Sequence, residues 1–179
     1  MKPNSHSNSE RLEKAFDRYY SAIFRYFRYR GADADTANDL ASATFERALE
    51  NLERFDPRRS QIQTWLFAIA RNLSINHWKA AGNYTLAPLD EDMPAPDDPP
   101  LEQVLMLAQD KEQVLSTLQE LDERAREILA LKFGGPLTNR QIAGLTGLTE
   151  SNVGVILYRS LLKLRTLLAP DQMEVHNDR

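Results

Sequence analysis

Residues 137–168 read LTNRQIAGLTGLTESNVGVILYRSLLKLRTLL, and this stretch contains two helix starts separated by a turn. Thr138 and Thr149 each precede a polar first turn and then apolar residues at helical spacing, which is the pattern of a helix N-cap. Gly147 lies between the two segments, where a left-handed helix end favours glycine. Gly144 is small enough to let the second helix cross closely over the first. The stretch therefore predicts a helix-turn-helix.

The second helix of this pair has one apolar side and one polar side. Its apolar residues recur at three- and four-residue steps and are expected to face the core: Val153, Leu157, Leu161, Leu164 and Leu168. The opposite side carries hydrogen-bonding groups first and cations later: Glu150, Ser151, Asn152, Val155, Tyr158, Arg159 and Lys163. A recognition helix reads base edges near its N-terminus while flanking groups hold phosphates. The residues alone leave open a DNA-reading helix and an ordinary helical hairpin with a solvated face.

The composition excludes several protein classes. The chain has 179 residues, of which 42% are hydrophobic, enough for one or two small domains. It has no cysteine, so disulfides, thiolate metal sites and thiol nucleophiles are excluded. The longest apolar run, residues 65–70, is too short to cross a bilayer, and the N-terminus lacks the apolar core of a signal peptide. These features predict a soluble, cytoplasmic protein.

The net charge of −4 is unevenly distributed along the chain. Residues 1–80 carry 13 Lys/Arg against 10 Asp/Glu, and residues 113–169 carry 7 against 5. Residues 81–112 carry 1 against 8. The two parts with helical patterns are therefore mildly basic, as expected of nucleic-acid binding, and the acidic residues are concentrated between them.

The N-terminal part shows an aromatic helix followed by a second, alanine-rich helix. Residues 10–30 have a broad apolar face, and their arginines are expected to form a basic outer face: Arg18, Arg25, Arg28 and Arg30. Gly31 ends this helix, and Asp33 is expected to cap the next one over residues 34–51.

A third helix is expected after a basic loop. Pro57 disfavours helix at the residue before it, and Ser60 is expected to cap a helix over residues 61–80. Residues 54–79 carry five Lys/Arg and one Asp, and the helix is rich in amides. This composition suits nucleic-acid contact, although a basic solvated face gives the same pattern.

The remaining segments complete an all-α architecture of two small helical domains. Residues 82–100 combine five prolines with a cluster of acids, a composition that predicts a linker. Helices are expected over residues 101–119 and again from the Asp122 cap to residue 133. The predicted domains are residues 10–81 and 101–169, and the tails are residues 1–9 and 170–179.

Both halves together resemble the extracytoplasmic-function (ECF) sigma factors, the two-domain promoter-recognition subunits of bacterial RNA polymerase. Three segments carry this resemblance: YYSAIFRYFRYRG at 19–31, DLASATFERALENLERFDPRRSQIQTWLFAIARNLSINHWK at 39–79, and LTNRQIAGLTGLTESNVGVILYRSLLKLR at 137–165. The family implies a sigma region 2-like domain, a region 4-like helix-turn-helix domain, and a function in promoter selection and transcription initiation. It also implies three partners, namely the polymerase core, promoter DNA and an anti-sigma factor.

The resemblance assigns polymerase binding to the second helix. The matching residues dock on the clamp of the largest polymerase subunit in the family: Asp39, Leu40, Ser42, Ala43, Phe45 and Arg47. Ser42 and Ala43 stand where relatives often have Gln and Glu, so the polar part of this contact differs here. The region 4-like domain is expected to contact the flap of the second-largest subunit.

The resemblance assigns the minus-ten promoter element to the basic loop and the third helix. An extruded base requires a pocket, amides for its exposed edge and cations for the strand backbone. The expected residues are Arg58, Arg59, Gln61, Gln63, Thr64, Arg71, Asn72, Asn76, His77 and Lys79. Trp65 is expected to belong to the core rather than to stack on a base.

The helix-turn-helix corresponds to the reader of the minus-thirty-five element. Base reading is expected from Glu150, Ser151, Asn152 and Val155, and backbone contact from Asn139, Arg140, Tyr158, Arg159 and Lys163. The segment 154–156 is Gly-Val-Ile, where many relatives have a Lys, a small polar residue and an Arg. Fewer cations imply a shallower salt dependence, and Val155 suits contact with a thymine methyl.

Three other classes of protein are alternatives to a sigma factor. A stand-alone helix-turn-helix regulator would bind duplex DNA tightly without polymerase, and a sigma-like adaptor would bind polymerase without starting transcription. An enzyme is disfavoured because the three histidines are scattered and no phosphate-binding glycine loop occurs. No cofactor, metal site or catalytic residue is expected.

Overall fold

The structure, a computed structural model, describes residues 5–82 and 111–168, and within these ranges the chain is helical with no β-strand. Seven α-helices follow in chain order: α1 (Ser5–Arg30), α2 (Ala34–Glu50), α3 (Ile62–Ala80), α4 (Lys111–Gln119), α5 (Glu123–Leu129), α6 (Asn139–Thr146) and α7 (Glu150–Leu168). A 3-10 turn (Leu52–Arg54) follows α2, and a π-helical turn (Ala130–Gly134) continues from α5. The all-α prediction is confirmed. We call α1–α3 the N-terminal module and α4–α7 the C-terminal module.

Some predictions fall on residues outside the described ranges. Residues 83–100 of the predicted linker and residues 101–110 of the helix predicted at 101–119 belong to this group, as do residues 1–4 and 170–179 of the predicted tails. The part of that helix within the described ranges is α4.

The predicted helix ends agree with the structure at several positions. The Asp33 side chain accepts a hydrogen bond from the Thr36 backbone N–H at 2.7 Å, and the Asp122 side chain accepts one from the Ala125 N–H at 2.9 Å. The bond from Thr36 holds the pKa of the Asp33 carboxyl below its ordinary value. Gly147 ends α6 in the left-handed conformation, with φ of 74°. Side-chain capping and a glycine end thus define the helix-turn-helix, as predicted.

Three local predictions were wrong. α1 begins at Ser5 rather than at residue 10, and Asn8 lies buried in the added turn. Ser60 does not cap α3, because the turn that begins at Asp56 extends to Ser60 and the helix begins only at Ile62, with Gln61 as its N-cap residue and no side-chain cap. A Cβ at Gly144 would meet nothing within 4 Å, so the helix crossing does not require a glycine there.

The core of the N-terminal module lies where α1 packs against α2 and α3. Small residues Ala37, Ala41 and Ala48 line the buried side of α2 and let α1 approach closely. The large fully buried side chains come from α1 and α3: Ile23, Tyr26, Phe27, Leu66 and Phe67. Each of the buried Ile, Leu and Phe side chains among them contributes about 1.5–3 kcal/mol to folding. In the C-terminal module all five apolar residues predicted to face the core from α7 are buried.

The two modules pack against each other, and their buried apolar side chains form one continuous cluster. The π-helical turn lies against α1 and α3 at this junction. A Cβ at Gly134 would lie 2.7 Å from the Cα of Tyr26, and one at Gly135 would lie 2.7 Å from Phe67 Cε1. Two consecutive glycines therefore allow a backbone approach that any larger residue would prevent.

Candidate nucleic-acid interface

The residues predicted to read the minus-ten element are distributed over α3 and the loop before it. Leu66, Phe67, Ala70 and Leu73 of α3 are buried in the core. Within the predicted set, Gln61, Asn72, Asn76 and Lys79 are exposed, whereas Gln63, Thr64, Arg71 and His77 are half-buried. We call Gln61, Gln63, Thr64 and Arg71 the α3 reading face.

The loop before α3 is organised by Asp56 and Phe55. The Asp56 carboxylate accepts hydrogen bonds from the Arg58 backbone N–H at 2.9 Å and from its guanidinium at 3.2 Å. The first of these bonds holds the pKa of Asp56 below its ordinary value. Phe55 is 3% exposed and packs on Trp65 with ring centroids 5.0 Å apart. Trp65 is half-buried against the core, as predicted, and the loop presents Arg58 and Arg59 to solvent.

The α3 reading face is hydrogen-bonded to the C-terminal module. Gln63 Nε2 donates to the backbone carbonyls of Gly135, at 3.0 Å, and Pro136, at 3.3 Å. Gln141 Nε2 donates to the Thr64 hydroxyl at 2.9 Å and lies 3.4 Å from Gln61 Oε1. These amide and hydroxyl groups therefore already have protein partners in this conformation.

The Gln141 side chain makes hydrogen bonds both within the helix-turn-helix and across the junction. Its Oε1 accepts from the Thr138 backbone N–H at 2.9 Å, while its own N–H donates to the Thr138 hydroxyl, which completes a capping box at the start of α6. Its amide nitrogen reaches across to the N-terminal module. The same side chain thus caps the helix-turn-helix and contacts the α3 reading face.

A network of charges crosses the junction below these contacts. Arg71 Nε donates to Glu127 Oε1 at 2.9 Å, and the Glu127 residue is only 3% exposed. Arg30 pairs with Glu123, and its Nε donates to the Ser74 hydroxyl at 3.1 Å. Arg30 was expected on a basic outer face, but it is 1% exposed. The expectation failed because helical periodicity places Arg30 on a face of α1 that the C-terminal module covers.

Tyr26 lies fully buried beside this network. Burial raises the pKa of its hydroxyl to about 12, and the nearby Arg30 guanidinium only partly opposes this effect. The hydroxyl makes no hydrogen bond to any residue in the described part of the chain. The phenol is therefore held neutral in an environment that disfavours its anion.

The first turn of α7 differs from the α3 reading face in its surroundings. The Thr149 hydroxyl caps the helix by accepting from the Asn152 N–H at 3.1 Å. Glu150 and Ser151 are exposed and Asn152 is half-buried. Val155 is only 5% exposed, so in this conformation its methyl groups are not accessible to a thymine methyl, contrary to the expectation.

The predicted backbone contacts of the helix-turn-helix are distributed around it. Arg140 is exposed, and Asn139 accepts from Lys132 Nζ at 2.8 Å. Lys163 Nζ donates to the Glu120 carbonyl at 2.7 Å, near the far end of α7. Tyr158 is half-buried and Arg159 is exposed.

The residues predicted to bind polymerase occupy α2. Asp39 and Arg47 are exposed, and Leu40, Ser42 and Ala43 are half-buried. Phe45 is buried and packs edge-on against Phe16 at 4.9 Å, so it supports this surface from beneath.

Sequence reasoning missed two exposed apolar side chains that extend the α2 surface. Leu49 is 61% exposed, and Phe16 is also exposed where it packs on Phe45. Both residues continue the apolar spacing of their helices, so periodicity alone does not separate them from the core.

The described ranges contain no group of three or more His, Asp or Glu side chains that could hold a metal ion. None of the helices in those ranges combines the length and apolarity needed to cross a membrane.

Comparison with known families gives two matches in chain order. The model described as Sigma-70 region 2 matches residues 15–84, and that described as Sigma-70, region 4 matches residues 111–164. Together these matches cover more than half of the chain.

Individual proteins give the same result. The chain is 29% identical over 164 residues to the ECF RNA polymerase sigma factor BldN of Streptomyces coelicolor, covering 88% of this chain but 60% of BldN. It is 29% identical over 167 residues to the RNA polymerase sigma factor YlaC of Bacillus subtilis, covering 91% of this chain and 95% of YlaC. Among solved structures, CnrH in complex with the cytosolic domain of CnrY is similar in fold, with a TM-score of 0.67 and 22% identity over 93% of each chain.

Proposed function

Because this chain belongs to the sigma-70 family, as one of its ECF sigma factors that direct RNA polymerase to promoters, we propose how its two modules divide that function. The N-terminal module carries region 2 and the C-terminal module carries region 4. The observation that supports the division best is the placement of two separate polar faces, one on α3 and one at the start of α7.

The α3 reading face and the preceding loop recognise the minus-ten element as a partly single-stranded segment. Gln61, Gln63 and Thr64 supply hydrogen-bonding groups for the edge of an extruded base, whose removal from the stack costs a few kcal/mol. Arg58 and Arg59 lie exposed beside them and supply charge to the strand backbone. The exposed residues of α3 continue the path of the strand: Asn72, Asn76 and Lys79.

The first turn of α7 reads the minus-thirty-five element in the major groove of duplex DNA. Glu150, Ser151 and Asn152 are the base-reading residues, and Arg140 contacts the phosphate backbone from the start of α6. Val155 supports the helix from its buried side instead of contacting a base.

The exposed surface of α2 docks on the clamp of the largest polymerase subunit. Asp39, Leu40 and Arg47 provide its polar and apolar contacts, and Leu49 enlarges the apolar part. The C-terminal module contacts the flap of the second-largest subunit. With these contacts the protein acts in the cytoplasm as part of a polymerase holoenzyme.

An anti-sigma factor is a further proposed partner. CnrH, which shares this fold, was solved in complex with the cytosolic domain of CnrY. On α7, Leu162 is exposed and Tyr158 is half-buried beside buried Val155, which offers an apolar strip for such a partner.

Transcription by core polymerase plus this chain on a genomic promoter library, read as start sites, tests the proposal. We expect discrete start sites preceded by two spaced motifs. Asp39→Ala is expected to weaken co-purification with core polymerase and to lower transcript yield at limiting protein. Asp17→Ala, an exposed aspartate of α1, is the matched control and is expected to leave both unchanged.

Two results would contradict the proposal. If core polymerase neither binds the chain nor gains start-site selection, the promoter-directing assignment of both modules fails. Tight binding of a specific duplex by the free chain, without polymerase, would instead favour a stand-alone regulator.

A further inference from the structure

We propose that Asp56 sets the register in which the loop before α3 meets the promoter strand. This loop, residues 55–61, lies between the 3-10 turn and α3, and we call it the minus-ten loop. Asp56 acts without touching DNA, by holding the loop backbone and the side chains of Arg58 and Arg59 in place. It is therefore a positioning residue, and the inference rests on the proposed function of this loop.

The backbone of the minus-ten loop is folded around Asp56. The Asp56 carbonyl accepts hydrogen bonds from the backbone N–H groups of Arg59, at 3.0 Å, and Ser60, at 3.3 Å. Its side-chain Oδ1 accepts a hydrogen bond from the backbone N–H of Arg58 at 2.9 Å. Pro57 has no N–H group and restricts its own φ. The three backbone N–H groups that follow Pro57 are therefore all bonded to Asp56, and a short Asp side chain is well suited to stabilise such a turn.

The same carboxylate directs both arginines of the loop. Arg58 Nε donates to Oδ1 at 3.2 Å and its Nη2 donates to Oδ2 at 3.5 Å, while Arg59 Nε lies 3.9 Å from Oδ2. The Asp56 side chain is 26% exposed, whereas those of Arg58 and Arg59 are 82% and 88% exposed. The carboxylate thus holds the guanidinium groups from their less exposed side, and their remaining N–H groups stay available to a phosphate.

The exposure of these ion pairs indicates that they orient the arginines more than they stabilise the fold. Ion pairs between exposed side chains add little to the free energy of folding, because water screens the charges and two long side chains must be ordered. Direct binding of DNA by Asp56 is disfavoured, because its charge repels a phosphate. The function left for the carboxylate is to place Arg58 and Arg59.

Phe55 fixes the start of the minus-ten loop to the core. It is 3% exposed and packs on Trp65, with ring centroids 5.0 Å apart. Trp65 lies near the start of α3, and its N–H donates to the Gln61 carbonyl at 3.1 Å. Since Asp56 directly follows Phe55, both ends of the loop are tied to the same turn of α3. The arginines that Asp56 holds therefore have a defined position relative to Gln61 of the α3 reading face.

Cations in a fixed position can contribute to sequence selection. Contacts to phosphates carry no sequence information themselves, but they set the register and orientation in which other groups meet the bases. Arginines that move freely would attract every strand alike. Loss of Asp56 should therefore preserve the attraction for a strand and lower the discrimination between strands.

Competition between two promoters in one reaction tests this role. Core polymerase with the full chain transcribes a promoter recovered from the start-site experiment, together with a copy that has one changed base in its minus-ten motif. The ratio of the two transcripts measures discrimination. A variant that only folds less well loses both transcripts in proportion, so a purely structural role of Asp56 would not change the ratio.

Three variants are compared with the native chain. Asp56→Ala removes both the side-chain acceptor of the turn and the charge. Asp56→Asn keeps an oxygen that can accept the Arg58 N–H but removes the charge. Glu53→Ala is the matched control, because it removes the same charge from an exposed position of the adjacent 3-10 turn.

We expect Asp56→Ala to lower the transcript ratio by about threefold or more and Asp56→Asn to lower it by less, where one mismatched base pair is worth roughly 5- to 150-fold. Glu53→Ala should keep the native ratio. An unchanged ratio for Asp56→Ala, or an equal fall for Glu53→Ala, would overturn the inference. If Asp56→Ala gives no transcript, Asp56→Asn decides, and a native ratio for that variant would overturn the inference as well.

The two proposals fail in different ways. If the native chain with core polymerase selects no start site, the proposed function of the loop is wrong. If the native chain discriminates between the two promoters and Asp56→Ala does so equally well, the proposed function stands and Asp56 has no positioning role.

Discussion

Helices α3 and α7 carry the two candidate DNA-reading faces, and these faces lie in opposite surroundings. The polar groups of α3 are half-buried and already bonded to another part of the chain, through Gln63, Thr64 and Arg71. The first turn of α7 has exposed Glu150 and Ser151 beyond its Thr149 cap. The contrast matches the forms of DNA that we propose for them, a single strand for α3 and duplex DNA for α7.

Duplex DNA is always present, and a melted strand exists only after polymerase has engaged the promoter. A face that reads duplex can therefore remain open in the free chain. A face that reads a single strand would otherwise bind any unpaired nucleic acid in the cell, because base stacking and backbone charge are largely independent of sequence. In the free chain the C-terminal module contacts Gln63, Thr64 and Arg71 of that face.

The largest expected effect is a loss of folding stability on substitution of Phe67, a core residue of α3. Phe67 is fully buried and packs against Tyr26 within the N-terminal module and against Gly135 at the junction. Phe67→Ala is expected to destabilise the chain by about 3–5 kcal/mol through lost burial and a cavity. Leu162→Ala, at an exposed position of α7, should change stability by less than about 0.5 kcal/mol. Urea denaturation followed by circular dichroism measures both, and equal losses would remove the contrast.

The second-largest expected effect is a loss of folding stability at alkaline pH. The pKa of Tyr26 rises from 10.0 to about 12 on folding, so between these values the folded chain keeps a proton that the unfolded chain has released. The Tyr26 hydroxyl therefore does not lower the free energy of unfolding below pH 10. Above pH 10 this free energy falls, by about 3 kcal/mol in total as the pH approaches 12. Tyr26→Phe should remove this part of the slope and cost less than about 1 kcal/mol below pH 10, since the hydroxyl has no partner in the described ranges. Identical slopes for both proteins would contradict the assignment.

A smaller loss of stability is expected when either of the two capping threonines of the helix-turn-helix is replaced, and the two variants form a matched pair. Thr138→Ala and Thr149→Ala each remove one capping hydroxyl and are expected to cost about 1 kcal/mol. Only the first also loosens Gln141, whose amide contacts Thr64 across the junction. Thermal unfolding should therefore show similar losses, whereas the radius of gyration should rise only for Thr138→Ala. An equal rise in both variants would show that Gln141 does not hold the junction.

The smallest effect concerns salt dependence in the assembled holoenzyme. Arg140→Gln is expected to lower the slope of log K against log salt by about 0.9 on duplex minus-thirty-five DNA. Arg59→Gln, whose arginine side chain is 88% exposed, is expected to lower it by about 0.7 on a single minus-ten strand. Fluorescence anisotropy across a salt series measures both. Unchanged slopes would mean that these cations do not contact phosphates.

Local sequence signals predicted most of the fold. Thr138 before a polar turn, Gly147 after it and the apolar spacing of α7 are short-range features, and each agrees with the structure. The same holds for the caps at Asp33 and Asp122. These features act within a few residues, so periodicity and capping rules are sufficient to find them.

The junction could not be predicted in the same way, because it joins residues far apart in the chain. Arg30 looks like any surface arginine in a basic helix, and only the position of Glu123 shows that it is buried. Gly134 and Gly135 look like a helix stop, although they are required for contact with Tyr26 and Phe67. Val155 likewise faced outward on a helical wheel, and tertiary packing covers it.

Energy transfer between dyes on the two modules, measured before and after addition of core polymerase, tests the contrast between α3 and α7 most directly. The absence of native cysteine permits specific labels at Lys14→Cys and Thr166→Cys, which are exposed positions in different modules. Contacts between the α3 reading face and the C-terminal module predict high transfer in the free chain, and release of that face for DNA predicts a clear fall when core polymerase binds. Transfer that stays unchanged in a holoenzyme that is actively initiating would show that the modules need not separate, and would contradict the account.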